Sequence, residues 1–180
     1  MIPDISNYYN IYDNVLIFFA ILMVDIFVLF LVRYFPSFFG QALNDWYTNF
    51  KFTAILSDIL IILLGFMIAR YIYTRWITPA YGWNPLLFLG VLVSVQVIHD
   101  ILFYLAVILP IPIGHNHIID LFKRYSRSAG VKVIGGDAIL MILSALVAMY
   151  YKSEPTHVVV LASTLALYNA TYILYTEPSK

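Results

Sequence analysis

Long apolar runs separated by short polar ones set the plan of this chain. Five runs, residues 15–32, 53–72, 86–109, 131–151 and 157–175, are apolar over most of their length. A helix needs about 20 mainly apolar residues to cross the hydrocarbon of a bilayer. The pattern therefore predicts an all-α polytopic transmembrane helix bundle of about five spans, a single membrane domain over residues 1–180. The fourth run is the weakest, because Lys132, Gly135, Gly136 and Asp137 crowd its start. The rival arrangement has four full spans, with this run entering tilted or re-entrant. Prolines mark the boundaries: Pro36 after the first run, Pro79 and Pro85 around the second connection, Pro110 and Pro112 after the third, Pro155 and Pro178 around the fifth. Proline removes a backbone donor and clashes with the preceding turn. Tyrosine and tryptophan collect at the same places, Trp46, Tyr47, Tyr73, Trp76 and Trp83 among them. They read as anchors at the headgroup layer.

Composition agrees with this plan. Hydrophobic residues make up 62% and charged residues 11% of the 180 positions, where soluble domains carry roughly 25% charged. The lipid bilayer is thus the first partner. The formal net charge is zero, so nothing points to nucleic acid. The chain has no cysteine, which excludes disulfides, thiolate metal sites and cysteine nucleophiles. The first 14 residues hold Asp4 and Asp13 and no cation, the opposite of a secretory leader. The first apolar run is expected to stay as a span.

The cations predict an orientation. With the N-terminus outside, seven (Arg33, Lys51, Lys123, Arg124, Arg127, Lys132, Lys180) fall on the cytoplasmic side and three (Arg70, Arg75, Lys152) outside. The positive-inside rule favours that arrangement, with a cytoplasmic C-terminus. There is no internal repeat, and an odd span count argues against two duplicated halves. The triplet Asn169-Ala170-Thr171 falls inside the fifth run, where glycosylation is not expected.

Against this apolar background four acids stand out, one in each of the first four runs: Asp25, Asp58, Asp100 and Asp137. An acid at mid-span is costly and usually faces the bundle interior. In the expected topology all four lie roughly 8–14 Å below one interface, at about 1.5 Å per residue. Gln96, Asp100 and Tyr104 recur every four residues as a polar stripe, with His99 beside Asp100. Ala54, Asp58, Gly65 and Ala69 form a small-residue side on the second span, and Asp137, Ser144 and Ala148 do so on the fourth. Such sides let helices approach closely. Together they predict a buried polar layer that Asp25, Asp58, Gln96, His99, Asp100, Tyr104 and Asp137 share. The layer admits a structural role, a proton or cation pathway, or an intramembrane active site.

The connection after Pro112 predicts a short helix over about residues 117–128, capped by Asn116 and ended by Gly130. Ile118, Ile119, Phe122 and Tyr125 recur on one side, while Lys123, Arg124 and Arg127 form a cationic side suited to anionic lipids of the inner leaflet. His115, His117 and Asp120 are candidate metal ligands, but their spacing matches no strong zinc motif. No cofactor is implied, and no nucleophile elbow or phosphate-binding glycine loop is present.

The segments LNDWYTNFKFTAILSDILIILLGFMIARYIY, QVIHDILFYL, GHNHIIDLFKRYS and GGDAILM resemble parts of small multi-pass membrane proteins of large nucleocytoplasmic DNA viruses, over about residues 43–149. The resemblance implies a viral protein of a host or internal virion membrane. It carries over no catalytic residue, because that group has no assigned reaction. The leading expectation is a structural or interaction protein, with a homo-oligomer or other membrane proteins as the candidate partners. The alternatives are a proton or cation channel or transporter, and an intramembrane lipid-modifying enzyme.

Overall fold

The computed structural model describes residues 2–130 and 132–177. Val131, Pro178 and Lys180, invoked above as a span start, a flank and a cation, lie outside these residues. In chain order the elements are α1 (Ile11–Tyr34), α2 (Pro36–Phe39), α3 (Gln41–Phe50), α4 (Phe52–Ile72), α5 (Thr78–Tyr81), α6 (Pro85–Phe103), α7 (His117–Ala129), α8 (Lys132–Ser153) and α9 (Thr156–Tyr175). Wider π turns at Tyr73–Ile77 and Tyr104–Ile108 join α4 to α5 and extend α6. Among the described residues there is no strand, and five helices are long and apolar enough to cross a membrane: Ile11–Tyr34, Phe52–Tyr81, Pro85–Ile108, Lys132–Ser153 and Thr156–Tyr175.

The fourth of these is continuous from Lys132 despite its polar start. The second runs on beyond the expected residue 72, because the π turn carries the chain up to Pro79 without a break. Thr78 supplies both its amide and its hydroxyl (3.2 Å) to the Tyr73 carbonyl there. Two helix starts follow side-chain chemistry. Asn84 accepts from the amides of Leu86 and Leu87 ahead of α6, and Asn116 from those of Ile118 and Ile119 ahead of α7. Such caps satisfy amides that the first turn leaves orphaned.

α1 is the central helix and touches α4, α8 and α9; α6 closes the far side of α4 and α8. α1 is apolar all round, as a buried helix must be, and Ile17, Ala20, Ile21 and Leu29 on it are fully buried. Lipid tails are as apolar as the core, so close approach rather than hydrophobic burial holds such helices together. Small residues serve that approach: Ala54 and Ala69 on α4, Ala145 and Ala148 on α8, and Ala170 on α9 are all fully buried. At Gly65 of α4 an added Cβ would stand 2.9 Å from the Met141 side chain of α8. Leu56, Leu60, Leu64 and Ile68 recur every four residues on the exposed side of α4.

The two ends of the bundle differ. At the near rim, residues 2–10 run back over the helix ends as a strap, with Ile5 fully buried. The Tyr8 amide donates to Thr74 at 2.9 Å, Thr74 donates to the Ser6 carbonyl, and Trp83 donates to the Ile2 carbonyl. At the far rim α3 and α7 contact each other and lie against the spans. α3 was not expected from the apolar pattern. It starts after Gly40 (φ 83°) and turns directly into α4 at Lys51, whose φ of 49° makes the corner.

Candidate functional site

From the observed helix ends, Asp25, Asp58, Asp100 and Asp137 lie about 14, 9, 12 and 8 Å inside the far rim, at about 1.5 Å per residue. Their partners fall into two groups. Asp25 on α1 is 1% exposed, and the Tyr47 hydroxyl donates to its Oδ1 at 2.9 Å. Asp58 on α4 accepts from the indole nitrogen of Trp46 at 2.8 Å. Trp46 and Tyr47 are consecutive on α3, so their side chains diverge by about 100° around that helix. One short helix therefore reaches an acid on each of two spans. This corrects the reading of Trp46 and Tyr47 as headgroup anchors, since both are buried. Buried tryptophan and tyrosine normally find a partner for their polar tip, and here the partners are the acids.

Asp100 is bonded within its own helix. Gln96 donates to Oδ1 at 2.7 Å, and His99 Nδ1 lies 3.2 Å from the same oxygen. The His99 ring stacks on Phe103 at 5.7 Å and 14°. Tyr104 does not join this group and is exposed. Four-residue spacing advances a helix by about 400° per step, so the second step has drifted about 80° from Gln96. Asp137 sits in the early turns of α8, with no side-chain hydrogen bond among the described residues.

α7 closes the layer from the far side. Phe122 lies 5.0 Å from the Trp46 ring and 6.2 Å from that of Phe103. Ile119 and Leu121 are buried. The apolar side of α7 therefore rests on α3 and the spans. Burial, then the charges of Asp25 and Asp58, pushes the Tyr47 phenol well above the usual tyrosine range. Burial, then Asp137 and Asp58, likewise raises Tyr125 on α7. Tyr47 accordingly remains a protonated donor.

The layer contains no obvious counter-charge. Among the described residues no lysine or arginine lies within ion-pair distance of Asp25, Asp58, Asp100 or Asp137. Asp25 Oδ2 and Asp100 Oδ2 are buried without a hydrogen-bond partner among the described residues. An ionised carboxylate in such a place needs a counter-ion, water or bound cation; a neutral one needs no counter-charge, but its O–H still needs an acceptor or water.

The near rim holds a second polar cluster that the sequence pattern did not reveal. Asp13 and Arg70 are both fully buried, 3.6 Å apart. Lys152 stands 2.8 and 2.9 Å from the two oxygens of Asp13. Arg70 donates to the carbonyls of Asn7 and Asn10 and to the Asn14 side chain, and Lys152 donates to the Asp4 carbonyl. Asp4 accepts from the amide and hydroxyl of Ser6 at 2.7 Å. Here one acid faces two cations, and the strap is tied to the second and fourth spans. Asp13 is the first turn of α1 rather than part of a loose acidic tail. The one usable signal was placement: topology brings residues 13, 70 and 152, each near a span end, to the same rim.

The other candidates are placed as follows. Both oxygens of Asp120 accept from the Gly114 amide, at 3.0 and 3.1 Å. His117 and Asp120 border a groove of about 390 Å³ between α3 and α7. Among the described residues, His115, His117 and Asp120 form no group able to hold a metal. Lys123 donates to the carbonyls of Leu109 (3.3 Å) and Ile111 (2.5 Å), closing the end of the third span. Arg124 and Arg127 are exposed, with Arg124 4.0 Å from Asp45. Comparison with known proteins adds nothing to this geometry: no family model, curated protein or solved structure matches the chain.

Proposed function

We propose that the chain is a non-enzymatic structural or interaction protein embedded in a membrane, with its acids used to fix how the helices fit. One observation carries this reading. Asp25 and Asp58 each take a hydrogen bond from adjacent residues of α3, which ties that helix to α1 and α4. The positive-inside count supports an outside N-terminus and a cytoplasmic far rim. Arg70 and Lys152, two of the three opposing cations, share the single buried carboxylate of Asp13. Arg124, Arg127 and Lys132 are exposed at the far rim, where anionic headgroups would meet them. The resemblance to viral multi-pass proteins favours a host or internal virion membrane.

Reporter tags are expected to place residues near the N-terminus outside and residues 112–116 in the cytoplasm. Finding both on one side would overturn the orientation.

A second reading, proton or cation conduction, draws on the unpartnered oxygens of Asp25 and Asp100. Purified protein in liposomes separates the two. The structural reading expects no flux above empty vesicles under a pH or potassium gradient. Flux that disappears in Asp100→Asn, with the fold retained, would replace it with conduction. The third reading, an intramembrane lipid-modifying enzyme, would require turnover of a lipid in the same vesicles.

A further inference from the structure

The side of α9 that faces away from the bundle carries a polar group that lipid cannot serve. Its inward side, Val159, Ser163, Ala166, Ala170 and Leu174, is buried. At about 100° per residue, Val158, Leu165, Asn169 and Tyr172 fall within roughly 60° on the other side, and all four are exposed. Asn169 lies six residues from the Tyr175 end, about 9 Å into the span. Its side chain is too short to reach the rim.

Several other exposed polar groups within the spans have a local solution. Thr164 donates to the Val160 carbonyl at 2.7 Å and Thr171 to that of Tyr168 at 2.6 Å. Ser94 on α6 donates to Gly90 at 2.8 Å, and the Tyr168 and Tyr172 hydroxyls share a bond of 2.7 Å. The Asn169 amide bonds to no described residue; of its neighbours one turn away, Leu165, Ala166 and Ile173 are apolar, and the Tyr172 hydroxyl is already bonded to Tyr168. An unsatisfied amide in hydrocarbon is expensive.

We infer that this side of α9 is a self-association surface, on which a second copy of the chain seats its own α9 so that the two Asn169 amides pair. The chemistry selects that occupant. A primary amide is both donor and acceptor, so two copies related by a two-fold axis satisfy each other with no charge buried. Such an interface is isologous, the same patch on both subunits. Two copies inserted in the same sense place Asn169 at the same depth, which a parallel pair requires. A single asparagine among apolar contacts fixes register between paired helices. This proposal deepens the structural or interaction reading and rests on it.

The chain contains no cysteine, so introduced cysteines report cleanly. In liposomes at low protein-to-lipid ratio, Leu165→Cys and Tyr172→Cys are expected to form disulfide-linked dimers on oxidation. Leu60→Cys, on the exposed side of α4, is expected not to. By energy transfer between labelled copies of full-length protein, Asn169→Leu should raise the dimer dissociation constant about tenfold. Asn169→Gln, which keeps the amide, should stay within about threefold. Unchanged association of Asn169→Leu would overturn the proposal, as would equal cross-linking at Leu60 or a monomer at every ratio. Flux measured in the same liposomes separates the two claims. Flux with cross-linking intact removes the structural reading and leaves the interface, while neither flux nor cross-links removes the interface alone.

Discussion

Replacing Asp13 with leucine is expected to cost about 3–5 kcal/mol of stability, the largest effect of any single substitution at the near rim. The carboxylate is fully buried and is the acid against which both Arg70 and Lys152 rest. Removing it leaves a buried guanidinium with carbonyl partners but no counter-charge. Deleting one partner of a buried ion pair is far worse than replacing the whole group by apolar residues, because the survivor stays desolvated. Asp13→Leu combined with Arg70→Met and Lys152→Met should therefore recover part of the loss. Recovery should be incomplete, since Arg70 and Lys152 also hold the carbonyls of Asn7, Asn10 and Asp4. Residues 2–10 should then become the first site of proteolysis in both variants. Reversible unfolding in mixed detergent micelles measures the cost. A change under about 0.5 kcal/mol for Asp13→Leu, within the range of ordinary surface substitutions, would show that the cluster is decorative.

The spans were legible because the signal is local. About 20 apolar residues in sequence are themselves the element, and Asn84 and Asn116 mark starts by bonding amides only two and three residues on. The near-rim cluster was not legible, because Arg70 and Lys152 meet Asp13 from 57 and 139 residues away. No periodicity connects such positions. α3 escaped for a different reason. Ten residues of mixed character, split between a polar and an aromatic side, carry little apolar signal. Trp46 and Tyr47 then resembled anchors, since a ring with a polar tip suits a headgroup layer and a buried carboxylate equally well. The acids themselves were legible, as was their common depth, because both follow from counting along helices. Their partners were not. Asp100 turned out to be served from within α6, and Tyr104 had drifted off the stripe.

The hydrogen bond between Tyr47 and Asp25 offers the second large effect. Tyr47→Phe is expected to cost about 1–3 kcal/mol, because it leaves Asp25 with neither oxygen hydrogen-bonded in a place closed to water. The reverse deletion, Asp25→Leu, removes the acceptor 2.9 Å from the Tyr47 hydroxyl and should cost less, because Asp58 is near enough to take its place. The double variant should cost less than the sum, since replacing both partners by apolar groups leaves nothing unsatisfied. A coupling of about 1 kcal/mol or more in that cycle is expected of residues in contact. Asp25→Asn tells a different part of the story. Its carbonyl can still accept from Tyr47, while the side chain can no longer ionise. A structural role for the acid predicts that this variant folds, retains α3 against α1, and behaves as the parent does. A role that needs a proton or cation on Asp25 predicts an intact fold with the activity gone. If Tyr47→Phe and Asp25→Leu are strictly additive, the bond ties nothing together, and α3 must be held at the far rim by its aromatic contact with α7 and by the Trp46–Asp58 bond instead.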